Sequence, residues 1–333
     1  MNNYACSLSV REIEGYSLLM LENEHIRISL NMGQGAHIFE FTDKKTGVNV
    51  LYKDPKGLFQ YDVGGWYELF PNAGKACVYQ DIQIPKHGDI QHLAWRYTVT
   101  EETDYRIEIR LFVESSIMPL RLEKMIAIES GRSALFIGER ITNISLERQP
   151  YLWGHHVTFG EPFVDSSCRI DLPACRIFKR PDYDSPGSRL IAEAAGSLTN
   201  MPGRDGASLD LSYYPDQPAS EMLFTEQLQE HWYNVYNTSL GLGFGLSWDG
   251  VAYPYLWIWE ENRYTSSAPF FGKVCGLALE PQSSNVPILA DAVYQGKAPM
   301  LEAGESRESW LTAVIHHHEQ PIVGMSREGG LKL

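Results

Sequence analysis

A chain of 333 residues, 44% hydrophobic and 21% charged, has the composition of a globular protein and is long enough for one large β-rich domain or two ordinary ones. Its formal net charge of −14 repels phosphate backbones, so no nucleic-acid partner is expected. No run of about 18 apolar residues occurs, so no membrane span is expected, and MNNYACSLSV lacks the basic segment and long apolar run of a secretion signal, which makes the cytoplasm the expected compartment.

The five cysteines, Cys6, Cys77, Cys168, Cys175 and Cys275, are odd in number and sparse, which argues against a disulfide scaffold. Cys168 and Cys175 are close enough in sequence to pair, but buried free thiols are the expected state. Aromatic residues make up 12% of the chain, with 8 Trp and 18 Tyr. That richness suits β-strand surfaces. It also suits a carbohydrate site, where flat rings stack on the C–H face of a sugar.

In chain order, residues 15–52 read as a β-meander. Alternating runs at 17–22, 25–31, 37–42 and 48–52 are separated by turn residues. Residues 53–95 are less regular, and GGWYELFPNAGK at 64–75 reads as a loop crossing the surface, a composition often found at functional loops. Residues 94–149 carry the strongest strand signal, with AWRYTVTEE, YRIEIRLFVES, LRLEKMIAIES and SALFIGERITNIS alternating apolar and polar positions. Such alternation predicts antiparallel sheets with one wet face. Residues 161–220 are proline-rich, with short strands expected at 168–172 and 175–178. Strands return at 222–225, 231–236, 242–248, 255–259, 274–279 and 309–315, and 288–294 is long enough for a turn or two of helix. No repeat of 20–50 residues is visible. The expected fold class is all-β, a twisted sandwich of antiparallel sheets formed by residues 1–333 as one domain.

Three stretches hold the candidate chemistry. PYLWGHHVTFG, residues 150–160, places His155 and His156 on opposite faces of a strand, so only one can face a given pocket. KHGD, residues 86–89, sets His87 in a turn whose glycine permits close backbone approach. LALEPQ, residues 277–282, ends an apolar strand on Glu280, where partial desolvation raises the carboxyl pKa and makes it a better base. Each has a plainer reading, as a core or turn histidine or a strand-end glutamate. His316–His318 reads as a solvated run, since three consecutive residues cannot all face one ion. His87, His156 and a carboxylate show no metal-ligand spacing, so no metal or cofactor is expected. There is no GxSxG or P-loop, and GLGFG at 241–245 sits in a strand pattern rather than a strand-to-helix turn.

The order of these stretches resembles the aldose 1-epimerase (galactose mutarotase) family. HGD at 87–89, HVTFG at 156–160 and LALEPQS at 277–283 resemble its HG turn, H-x-x-F strand end and LEPQ-like stretch. LNMGQGAHIFEFTDKKTGVNVLY, ELFPNAG and LEAGESRESWLTAVI resemble its N-terminal hairpin, the loop before the HG turn and its closing strand, so the likeness spans about residues 18–315. It implies a galactose mutarotase-like supersandwich, and an isomerase that interconverts the α and β anomers of a small-molecule sugar by opening the C1–O5 bond. By motif position it implies Glu280 as base, His156 as acid and His87 as a second, sugar-binding histidine. Glu68, Lys75, His155, Trp153 and Trp257 are the further residues expected to bind substrate. Family members carry a G-R-x-A-N-R loop whose arginine touches the sugar. Here the matching ELFPNAG has no arginine, and Glu226 and His231 are the nearest stand-ins for the family's substrate aspartate segment. These departures point to a divergent member with a different sugar. Two alternatives share the fold: a hexose-6-phosphate mutarotase, for which Lys75, Lys86 and Arg96 are the available cations, and a non-catalytic carbohydrate-binding protein.

Overall fold

A computed structural model describes residues 5–13, 15–54 and 64–333. The strands that build its two large sheets are, in chain order, β1 (Ser7–Ile13), β2 (Tyr16–Glu22), β3 (Ile26–Asn31), β4 (His37–Asp43), β5 (Trp66–Leu69), β6 (Arg96–Glu102), β7 (Arg106–Glu114), β8 (Leu120–Glu129), β9 (Ala134–Asn143), β10 (Gly154–Gly160), β11 (Cys168–Asp171), β12 (Arg176–Lys179), β13 (Ala195–Gly196), β14 (Ala219–Glu226), β15 (Trp232–Asn237), β16 (Leu242–Trp248), β17 (Tyr255–Asn262), β18 (Cys275–Gln282) and β19 (Ser306–His316). One sheet runs β1-β2-β3-β4-β5-β10-β18-β17-β14-β12-β13 and the other β11-β15-β16-β19-β9-β8-β7-β6. Every strand pair within the two sheets is antiparallel. The all-β sandwich expected from the alternation is the observed fold. The short helix α1 spans Leu289–Tyr294, where a turn or two was expected.

Alternation decides which side chains face the interior. In β8 and β9, Leu122, Ile126, Ile137 and Ile141 point inward and are fully or almost fully buried. From the facing sheet, Phe159 meets Phe244 of β16 edge to face at 4.9 Å, and Trp66 meets the same ring at 6.5 Å. Large side chains buried in this way each contribute about 1.5–3 kcal/mol. The central strands of the larger sheet, β10 and β18, are buried on both faces, which is why they read as near-continuous apolar runs.

Four expectations change. WYEL within 64–75 is a strand, β5, not loop; its alternation is masked because Tyr67 and Trp66 are both large and both buried, on opposite faces. Residues 48–52 make only isolated bridges, and β1 forms where no strand was expected. His316 is not part of a solvated run: it ends β19 buried, with Nε2 2.7 Å from Asn234 Oδ1. The irregular segment expected over 53–95 lies partly outside the described residues, at 55–63. All five cysteines are free.

Candidate active site

β5, β10, β18 and β17 lie side by side in the larger sheet. On its outer face they present Tyr67, His156, Glu280 and Trp257 as one transverse row. Tyr67 pairs with His156, and Trp257 pairs with Glu280. Gly154↔Gln282 and Thr158↔Ala278 fix the register between β10 and β18 on either side of His156 and Glu280. The result brings His156 Nε2 to 3.7 Å from Glu280 Oε1, with both residues buried. Tyr67 stacks on the imidazole at 4.9 Å and 10°, and its other neighbour His37 stacks on it at 4.6 Å. Trp257 is backed by Phe224 at 4.7 Å. Rings thus back both ends of the row, Tyr67 against His156 and Phe224 against Trp257.

Local sequence explains the fine placement. A Cβ on Gly154 would lie 2.0 Å from Gln282 Oε1, so the missing side chain is what lets Gln282 lie across β10. From there Gln282 Nε2 donates to Glu280 Oε2 at 3.2 Å. Thr158 Oγ1 is 2.8 Å from His156 Nδ1, which leaves Nε2 directed at Glu280. His87 arrives from the PKHG turn in a left-handed conformation, followed by Gly88, also at positive φ. A Cβ on Gly88 would meet Phe70 O at 1.9 Å, so glycine is required there. The turn is tied to the preceding loop by His87 N donating to Gly74 O at 2.9 Å. Buried Asn72 binds Lys75 O and Pro85 O through Nδ2. His87 Nδ1 sits 3.3 Å from Tyr67 Oη and its ring 5.7 Å from that of His156.

Of these, His87, His156, Glu280 and Trp257 line a cavity of about 290 Å³ together with Trp259, Phe270 and Met222. Larger hollows occur among the described residues, one of about 510 Å³ beside His316–His318. Burial dominates the electrostatics. It pushes the Glu280 carboxyl up to about 8, against the smaller opposing pull of Gln282, Arg180 and Lys86. It pushes His156 down to about 3, with Lys86 adding to the effect, and holds His87 well below the usual histidine range. Between those limits the His156–Glu280 pair carries one proton, and at rest it lies on the carboxyl. At neutral pH the site therefore holds one carboxylic acid and one neutral imidazole in adjacent positions. Such a pair can give a proton at one oxygen and take one at another.

Of the residues expected to bind substrate, Lys75 and Trp257 line this cavity with His87, His156 and Glu280. Glu68, His155 and Trp153 do not; for the first two the reason is strand parity, since Glu68 is one residue from Tyr67 and His155 one residue from His156, while Trp153 lies just before β10. All three point into the sandwich interior. Trp66 Nε1 donates to His155 Nδ1 at 2.9 Å, and His155 Nε2 is 3.1 Å from Glu139 Oε2. Trp153 packs edge-on against Tyr253 at 5.0 Å. Glu68, Glu139 and His155 come close enough to hold a metal ion. However, Lys124 Nζ lies against Glu68 and 3.5 Å from Glu139 Oε1. The ammonium takes the place a cation would fill. Burial lowers Lys124 to about 8 yet leaves it charged at neutral pH, and burial keeps His155 neutral, so Lys124 is the counter-charge of this cluster. Glu226 pairs with Arg176, His231 packs beside Trp248, and Arg96 lies over Phe112 on the other sheet, so none of the three reaches the cavity.

Arg180 and Tyr67 line or floor the site and were not expected there. Arg180 sits in FKRPDYD, where Nη2 donates to Asp182 Oδ2 at 2.7 Å across Pro181. Its only sequence signal was a basic residue ending a strand before proline. Tyr67 had none of its own, because WYEL is apolar or buried on both faces and does not show its alternation.

A family profile described as a domain of unknown function, DUF4432, matches residues 70–315. No curated protein matches the chain. Several solved structures share its fold. A provisionally assigned aldose 1-epimerase from Klebsiella pneumoniae superposes with a TM-score of 0.74 at 16% identity, over 95% of this chain and 85% of that one. A galactose mutarotase-like protein from Clostridium acetobutylicum gives 0.67 at 16%, over 94% and 99%. A TPR-domain containing protein from Parabacteroides distasonis gives 0.67 at 15%, and there the match covers 92% of this chain but only 48% of the other, so the chain spans about half of that relative's length. The fold is the galactose mutarotase-like β-sandwich, and by its profile match the chain belongs to the DUF4432 family.

Proposed function

We propose that this protein is an aldose 1-epimerase-like isomerase that interconverts the α and β anomers of a free sugar. The observation that carries the reading is the His156–Glu280 pair, 3.7 Å apart in a buried cavity and pushed by burial in opposite directions. Anomer exchange needs one group to take the proton from O1 while another gives a proton to the ring oxygen O5. The C1–O5 bond then breaks, its electron pair stays on O5, and C1 becomes an aldehyde. Rotation about C1–C2 and reversal of the same two transfers close the ring on the other face. The pair begins and ends with one proton in total, so no cofactor or co-reactant is needed.

The resemblance casts Glu280 as base and His156 as acid, which is the carboxylate–imidazolium form. Burial favours the carboxylic acid–imidazole form. Both contain the same single proton, and the reaction runs through both because its reverse uses each group in the opposite role. His87, a neutral donor held by Tyr67, is placed to hydrogen-bond a ring hydroxyl, and Trp257 offers its face to the apolar side of the ring. Polarimetry on freshly dissolved single anomers tests the reading. Acceleration of mutarotation by the wild type and its loss in Glu280→Gln is the expected result. Full activity in Glu280→Gln, or no acceleration with any of a broad panel of sugars, refutes it.

A further inference from the structure

The charges around the cavity run against those of the whole chain. The protein carries a formal net charge of −14. Yet Lys75, Lys86 and Arg180 line this one cavity, against the carboxyls of Asp182 and Glu280. Asp182 is engaged from both sides, by Arg180 and by Lys75 Nζ at 3.7 Å, and is held ionised chiefly by the Arg180 hydrogen bond. Glu280 is kept neutral by burial at neutral pH. Three cations therefore face one effective anion. Lys86 is exposed and, among the described residues, no carboxylate pairs with it. Arg180 and Lys86 are also close enough to act electrostatically on Glu280 and His87 deep in the site. Arg180 is mostly covered and lies over Phe224, the ring that backs Trp257. Arg180 thus puts its charge beside the aromatic floor, while the charges of Lys86 and Lys75 remain exposed to solvent.

We propose that the sugar taken by this site bears an anionic substituent, a phosphate or a carboxylate, that is met by Lys86, Arg180 and Lys75. This rests on the anomer-exchange reading for its turnover, but not for binding. A neutral sugar would leave the mutual repulsion of three cations offset by Asp182 alone, with the mostly covered Arg180 the least relieved by water. An anionic one replaces that repulsion with attraction and can divide Asp182's partners with it. Arg180 supplies a fork matched to either oxyanion, while Lys86 and Lys75 act as point charges that suit both.

The test measures both anomer exchange and equilibrium binding, by calorimetry, for glucose, glucose 6-phosphate and glucuronate at low and high salt. The wild type is expected to favour at least one anionic sugar over glucose by about tenfold or more, with the preference shrinking at high salt. Lys86→Met, at an exposed position with little effect expected on folding, should cut that ratio about tenfold, and Lys75→Met should cut it less because Asp182 already engages Lys75. Whichever anionic sugar binds better identifies the substituent. Glucose bound or turned over as well as both anionic sugars, or a ratio unchanged in Lys86→Met, overturns the proposal. The two readings fail separately. Turnover confined to neutral sugars would leave the isomerase standing without the anion site, and preferential anionic binding without any exchange would leave the anion site standing without the isomerase.

Discussion

Glu280→Gln should make the protein more stable as it makes it inactive, and the gain should depend on pH. The carboxyl is pushed from its ordinary value near 4.5 up to about 8 by burial. Between those limits the native state holds a proton that the unfolded chain has lost. Its contribution to stability is therefore fully present below about 4.5 and is lost as pH rises toward about 8. At about 1.36 kcal/mol for each pH unit, the loss amounts to roughly 3–5 kcal/mol. Glutamine keeps the shape and cannot ionise, so it removes this dependence. His156 titrates in both proteins and cancels in the comparison. Urea unfolding at a series of pH values from about 5 to 8 should show the variant gaining on the wild type by about 1 kcal/mol or more per pH unit. The same variant should lose about 10²–10⁴-fold in anomer exchange. A stability difference that stays flat across the range would mean that the empty site ionises Glu280 like a surface carboxyl, and the single-proton account of the pair would fail.

Other outcomes follow from neighbouring features. The rate of anomer exchange should hold from mildly acid pH up to about 8 and then fall, because Glu280 deprotonates there while His156 is already neutral, leaving the pair without a proton; a rate that rises through pH 8 would contradict this, and a pH–rate profile decides it. Lys124→Met should destabilise by about 3–5 kcal/mol, since it leaves Glu68 and Glu139 buried without their cation; chemical denaturation measures it, and a loss under about 1 kcal/mol would show the cluster to be hydrated. Gly88→Ala should cut kcat/KM sharply, because the new Cβ cannot share space with Phe70 O and His87 must move; retained activity would show that His87 placement is not needed. Trp257→Ala should raise KM more than it lowers kcat, as expected for loss of a binding platform, and steady-state kinetics separates the two.

The fold was readable because its elements repeat with period two. In β8 and β9 the alternation is nearly perfect, and it assigned both the strands and their buried faces. The same rule says that only one of His155 and His156 can face the cavity; motif position points to His156, and His155, also expected to bind substrate, faces the interior instead. In Glu68 the rule is hidden, because WYELFPNAG resembles a loop; only as a strand does its parity, opposite to Tyr67, direct it to Lys124. Trp153, just before β10, also turns to the interior, where it packs against Tyr253. Arg180 was hidden for another reason. It reaches the cavity by long-range pairing of β12 with β14, in a proline-rich segment without periodicity, and only the folded chain brings it beside Glu280. The same holds for Gln282, whose reach to Glu280 depends on the missing side chain of Gly154 on the neighbouring strand.

The most direct measurement is two-dimensional exchange NMR on sugars at anomeric equilibrium, run with the wild type, His156→Ala and Glu280→Gln. Cross-peaks between α and β H1 should grow with wild-type concentration for at least one sugar, and both variants should return the exchange to its uncatalysed rate. Exchange that neither variant reduces, or the absence of wild-type exchange across neutral and anionic sugars alike, would contradict the assignment of this cavity as a mutarotase site.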